Sequence, residues 1–162
     1  MAYISPGPGS SGQVVLKIEK SGTSGWTTAL TIAGLQDITV NAANDVFTWS
    51  QLDTAAKLQV ATTSTNSLAM NLVVDDAIFF GTLISAAQTN TVIEQGVLGC
   101  SRNKTLIKFS LKFIENASAD RYITGVGYIT GLAPTVSADS PVWVTPITIT
   151  VSGDYTVAST EA

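Results

Sequence analysis

The chain has 162 residues, of which 45% are hydrophobic and only 12% charged, with a formal net charge of -4, one cysteine and no histidine. That length fits a single domain, and this apolar content with so small a net charge excludes intrinsic disorder. One cysteine excludes a disulfide scaffold, and the lack of histidine removes Ser-His-Asp and Cys-His nucleophile systems, His-ligated zinc and haem on a proximal His.

Residues 1–12 are rich in Pro, Gly and Ser, with neither a basic start nor a continuous apolar stretch. They read as a flexible arm rather than a signal peptide, so synthesis and assembly in a cytoplasm are expected. The sequons at Asn103 and Asn116 are then chance matches. The arm carries two large apolar side chains, Tyr3 and Ile4.

Gln13–Lys20 alternates, with Val14, Leu16 and Ile18 on one face, and predicts a strand closed by the turn at Ser21–Gly25. Thr28, Leu30 and Ile32 alternate next, and Ile38 and Val40 suggest another short strand before a turn-like Asn41–Asp45. Residues 42–66 read as one long hairpin or extended loop. It carries Phe47, Trp49, Leu52 and Leu58 without obvious core partners, and Trp49 is its best candidate for an intermolecular anchor.

Leu68, Met70 and Leu72 predict a strand. Asp75 and Asp76 precede an apolar run with helical spacing (Ile78, Phe79, Leu83, Ala86), which predicts one helix over about 76–88. The two aspartates read as its N-terminal cap rather than as a catalytic or metal-binding pair. Residues 89–104 give no clear pattern. Thr105–Glu115 is a strand with Ile107, Phe109, Leu111 and Phe113 on one face. Arg121–Ser137 returns beside it after a turn at Asn116–Asp120. Val142–Tyr155 is the last strand, placing Trp143 with Ile147, Ile149 and Val151 on a core face, and 158–162 form a short tail.

Ser and Thr together number 38 and Thr alone 22, a composition that favours sheet and gives it a polar face without charge. The expectation is a mainly β, antiparallel β-sandwich or flattened barrel over 13–157. It carries one flanking helix, a long hairpin loop and a flexible N-terminal arm. Uncharged surface of this kind suits burial against another subunit: the charged share is about half of the ~25% usual in soluble domains, and mean hydropathy is +0.31.

No phosphate loop or nucleophile elbow is present, and eight basic against twelve acidic residues argue against a basic nucleic-acid grip. Cys100, although near Arg102 and Lys104, has no histidine base and reads as structural. The scattered aspartates show no glycosidase pairing, so no catalytic residue, cofactor or metal ligand is assigned. The three tryptophans leave open a carbohydrate- or protein-binding sandwich.

The segments Asn103–Phe113, Tyr128–Ser137 and Pro146–Tyr155, with the order of hairpin, long loop, strand and helix before them, resemble the major tail tube proteins of long-tailed (siphovirus-like) bacteriophages. The resemblance is in apolar alternation and glycine placement. Residues 89–104, the Pro-Gly arm, Pro141 and Pro146 depart from it. It implies a structural virion protein made in the bacterial host and resident in the tail. Six copies would close into a ring, and rings would stack into a hollow tube through the 42–66 loop and the termini. DNA would pass through the lumen without specific binding, and no membrane would be involved. Tyr3, Ile4, Phe47, Trp49, Leu52 and Leu58 become candidate contacts between subunits. The partners implied are the chain itself and the tape measure, terminator and distal tail proteins. Six copies at -4 carry about -24 per ring, which repels DNA phosphate. Another ring-forming virion or injection-machine component (a connector, decoration or inner tube protein) is the structural alternative.

Overall fold

The computed structural model describes residues 14–52, 56–113 and 120–161. The arm at 1–12, with Tyr3 and Ile4, and most of the 116–120 turn lie outside these residues. Nine strands are present among those described: β1 (Val14–Lys20), β2 (Leu30–Ile32), β3 (Leu35–Ser50), β4 (Lys57–Val73), β5 (Ile107–Phe113), β6 (Arg121–Leu132), β7 (Thr135–Ser137), β8 (Ser140–Val151) and β9 (Thr156–Ala158). Two helices, α1 (Asp76–Phe80) and α2 (Val92–Arg102), lie between β4 and β5.

Every strand pair is antiparallel, and the sheet order is β2-β1-β5-β6-β8-β4-β3. The two strands at the ends of that order, β2 and β3, are separated in sequence only by Ala33 and Gly34. The sheet must therefore curl until its edges meet. At the meeting point Val73 N donates to Gly34 O at 3.0 Å, and Gly34 makes the bend with φ +76°. Among the described residues no β2–β3 ladder closes the sheet, and this mainly antiparallel, curled sheet with flanking helices agrees with the expected sandwich or flattened-barrel class.

The inward faces supply one apolar core, including Leu16, Ile18, Leu68, Leu72, Phe109 and Ile149, all essentially fully buried. Each such side chain contributes about 1.5–3 kcal/mol of transfer free energy. Gly125 permits Phe109 to lie flat against β6, since a Cβ there would sit 2.8 Å from the Phe109 ring. β7 and β9 extend the lines of β6 and β8: β7 pairs with β8 past Ala133-Pro134, and β9 pairs with the start of β6. The single return strand expected over 121–137 is therefore interrupted where Pro134 cannot donate to a ladder.

Four expectations are corrected. The helix over 76–88 stops at Phe80, because Gly81 adopts φ 75° and closes α1 with its N–H on Ala77 O. Asp75 does cap it, accepting from Ala77 N and Ile78 N. The second helix arises in the unassigned stretch. Thr91 and Glu94 form a reciprocal capping box, and Thr91 N–H donation holds the Glu94 carboxyl below its ordinary range. Asn41–Asp45 is strand rather than turn, because Asn41–Asn44 pair with Ser67–Ser64 of β4 and Asp45 sits at a bulge before Val46 pairs with Ala61. Trp143 lies outside the core and is about half exposed (52%), since β8 begins beyond the end of the barrel and joins β4 only from Val144 onward.

A candidate assembly interface

β3 and β4 outrun the barrel. Beyond Asn41 and Asn66 they pair, among the described residues, only with each other, out to Ser50 and Lys57 at the tip. Outside the tip's Trp49 and Leu58, which are half-buried, the described residues from 41 to 65 are exposed. The result is a two-stranded ribbon whose faces and edges meet no other strand among the described residues. Its length from Asn41 to Ser50 is about 30 Å at ~3.3 Å per residue.

The base of the ribbon is gripped firmly. Asp154 Oδ1 accepts from Ser64 Oγ at 2.7 Å and Asn66 Nδ2 at 3.2 Å. The same Asn66 amide donates to Gly153 O at 3.0 Å. The Tyr155 hydroxyl lies between the carbonyls of Asn41 (2.8 Å) and Ser67 (2.9 Å). The segment after β8 therefore aims the ribbon.

Residues directly opposite in the ladder share a face. Phe47 faces Val60 and Trp49 faces Leu58, so these four make one apolar face at the tip. The Phe47 and Trp49 rings stack at 5.8 Å and 24°. Of the sequence candidates, Phe47, Trp49 and Leu58 are thus brought together. Leu52 sits fully exposed at the turn, and Tyr3 and Ile4 are outside the described residues. Val60 was missed, though its alternation with Leu58 was visible in the sequence.

At the other end of β4 is a second uncovered apolar surface. Val74, Phe79, Phe80, Leu98, Pro134 and Trp143 line a groove with no polar lining residue. Val74 N donates to Trp143 O at 2.8 Å and fixes the β4 and β8 ends together. Phe80 is itself half-exposed, and Leu83 and Ile84, which line an adjoining hollow with Phe80 and Leu98, are exposed as well. Isolated exposed apolar side chains are ordinary, but contiguous patches mark interaction sites.

Charge is segregated along the sheet. Lys57 at the tip is the only basic residue on β3, β4, β7 and β8, which also carry Asp37 and Asp45. Lys17, Lys20, Lys108, Lys112 and Arg121 lie on β1, β5 and β6.

One buried charge has a local structural task. Glu19 is wholly buried. Its Oε1 accepts from Thr28 N (2.8 Å) and Thr28 Oγ1 (2.6 Å), and its Oε2 relies on the Lys108 ammonium at 3.2 Å. Burial pushes this carboxyl up, but the Thr28 donors and Lys108 outweigh it and hold it below the ordinary value. Lys108 also donates to the carbonyls of Thr23 and Gly25 and lies 4.4 Å from the Trp26 ring centre, pinning the β1–β2 loop.

Cys100 is buried in α2, and burial pushes its thiol up to about 12. Among the described residues no cluster of three or more His, Cys, Asp or Glu could hold a metal, and no helix is long and apolar enough to cross a membrane.

No protein-family model and no curated protein matches the sequence. Solved structures do. A chain in the tail of an empty gene transfer agent particle with C6 symmetry aligns at TM-score 0.63 and 14% identity, over 92% of this chain and 98% of that one. The SPP1 tail tube aligns at TM-score 0.61 and 10% identity, over 88% and 76%. A chain in the six-fold symmetrised baseplate of the anti-feeding prophage aligns at TM-score 0.57 and 10% identity, over 93% and 95%. At these identities the likeness is one of fold, and the fold is the one that the resemblance to tail tube proteins implied.

Proposed function

We propose that this chain is a structural subunit of a phage tail tube, closing with five further copies into rings that stack into a hollow channel for DNA. The observation that carries the reading is the β3–β4 ribbon. A two-stranded hairpin alone in water is at best marginal, and one with free edges and an apolar tip is an aggregation hazard. Covering it with a neighbouring copy removes both problems. The likeness to the SPP1 tail tube and to a C6-symmetric tail supports the same reading.

In this role the chain needs no catalytic residue or cofactor. The tip residues Phe47, Trp49, Leu52 and Leu58, with Tyr3 and Ile4 from the arm, contact neighbouring subunits. Residues 13–157 act as one domain between an arm and a short tail. The net charge of -4 per chain suits a tube through which DNA passes without binding. The protein resides in the virion tail, and its partners are further copies of itself with tape measure, terminator and distal tail proteins at the tube's length and ends.

Negative-stain electron microscopy of the purified protein across concentration and time tests the proposal. Hollow filaments of stacked rings are expected. Small particles with a monomer mass by light scattering, at every concentration, would sink it. The baseplate likeness favours a second reading, a ring component of an injection machine, which predicts closed single rings that do not stack.

A further inference from the structure

We infer that the receptor for the ribbon tip is the Trp143 groove of a second copy; this rests on the self-assembly reading above. The two surfaces lie at opposite ends of one strand. β4 runs 17 residues from Lys57 at the tip to Val73 beside the groove, a span of about 50 Å. The β3–β4 ladder holds the ribbon extended along that line, so a copy cannot fill its own groove.

The surfaces match in chemistry. The tip offers a flat face of Phe47, Trp49, Leu58 and Val60, and the groove offers Phe80, Leu98, Pro134 and Trp143 around an apolar floor. Their charges are complementary. Lys57 is the one charged side chain among the described residues of the tip (46–52 and 56–61). Asp76, exposed at the start of α1, lines the adjoining hollow with the groove residue Phe80 and makes no hydrogen bond or ion pair among the described residues. Asp75 is different, because its carboxylate is occupied by the helix cap. Lys57 of one copy therefore pairs with Asp76 of the next as the aromatic face seats. Such a contact joins unlike patches, so every copy donates one tip and offers one groove, and the contact propagates.

A double variant, Leu52→Cys with Ile84→Cys, places one thiol on the exposed turn and one on exposed Ile84, which lines the adjoining hollow together with the groove residue Phe80. Cys100 stays silent because it is buried and its thiol is raised to about 12. After assembly and treatment with a short flexible bismaleimide, a denaturing gel should show a ladder of trimers and higher species. Either single variant should yield at most dimers. Trp143→Ala should raise the concentration needed for assembly about thirtyfold while leaving the monomer folded. Lys57→Glu or Asp76→Lys should each raise it several-fold, and the combined reversal should return it toward the starting value. Normal filaments without the ladder, or with Trp143→Ala assembling at the original concentration, would overturn the groove assignment and leave the tube reading standing. Absence of any assembly by the unaltered protein would overturn both.

Discussion

Gly81 and Gly96 pack back to back. A Cβ on Gly81 would lie 2.3 Å from Glu94 O and 2.5 Å from Gly96 N, and a Cβ on Gly96 would lie 2.3 Å from Gly81 N. Both residues have positive φ (75° and 63°), with ψ near 180°, a region open essentially only to glycine. The pair lets the chain after α1 cross the kink in α2. There, Thr82 N and Leu83 N donate to Ile93 O and Glu94 O at 3.1 and 3.0 Å. Since the atoms in the way are backbone, neither site can relax by turning a side chain.

Gly81→Ala and Gly96→Ala should each cost about 3 kcal/mol or more, from backbone strain plus overpacking. In a chain of this size that lowers Tm by roughly 6–12 °C. The double variant should cost less than the sum, because one displacement accommodates both methyls. Thermal unfolding of the three variants checks it. A single variant with an unchanged Tm would mean that the two segments do not touch in this way.

Trp49→Ala should behave in the opposite manner. Among the described residues Trp49 packs within the ribbon, stacked on Phe47 at 5.8 Å and opposite Leu58. Its loss should move monomer stability by about 1 kcal/mol or less. Assembly should fall at least about tenfold, since a buried tryptophan at a contact commonly carries more than that. Circular dichroism with sedimentation velocity separates the two effects. Unfolding of the monomer would show that the ribbon belongs to the core.

These two sites differ in how far they could be read from sequence. Strands such as β1 and β5 put apolar side chains on one face and polar ones on the other, so Leu16/Ile18 and Phe109/Leu111 announce themselves by alternation. The ribbon keeps its apolar residues but lacks a dry side, and the turn-like composition of Asn41–Asp45 is overridden by pairing with β4, a tertiary effect. The box formed by Thr91 and Glu94 was a local signal for α2 that went unread, because the kink at Gly96 spoils the helical period that ought to follow it. Trp143 shows the limit of alternation, which gives the correct face of β8 but not where along the strand the barrel ends. The groove brings together Val74, Phe80, Leu98, Pro134 and Trp143 from separate segments, and no spacing rule encodes that meeting.

Cys100 should resist maleimide at pH 8 in the folded protein and react promptly in denaturant, because burial pushes its thiol up to about 12 from 9.0. The same shift links it to stability. With the folded value above the unfolded one, its contribution is complete below 9.0 and is withdrawn as pH rises toward about 12. Fast labelling without denaturant would show that α2 opens locally.

Glu19 and Lys108 should be coupled in stability. Lys108→Met strips the wholly buried carboxylate of its 3.2 Å ammonium partner and frees the carbonyls of Thr23 and Gly25. A loss of about 3 kcal/mol is expected at pH 7, the cost usual for leaving one partner of a buried pair behind. Glu19→Gln keeps an acceptor for Thr28, so adding it to Lys108→Met should restore about half of that loss. The pH profile has a definite sign. Because the Glu19 carboxyl is held below its ordinary 4.5 in the folded chain, its contribution is complete above that value and falls away as pH drops through the lower folded one. Urea titrations from pH 3 to 7 should therefore show a steeper acid loss in the unaltered protein than in Glu19→Gln. Parallel profiles would mean that the Thr28 donors and Lys108 confer no net preference for the charged carboxylate.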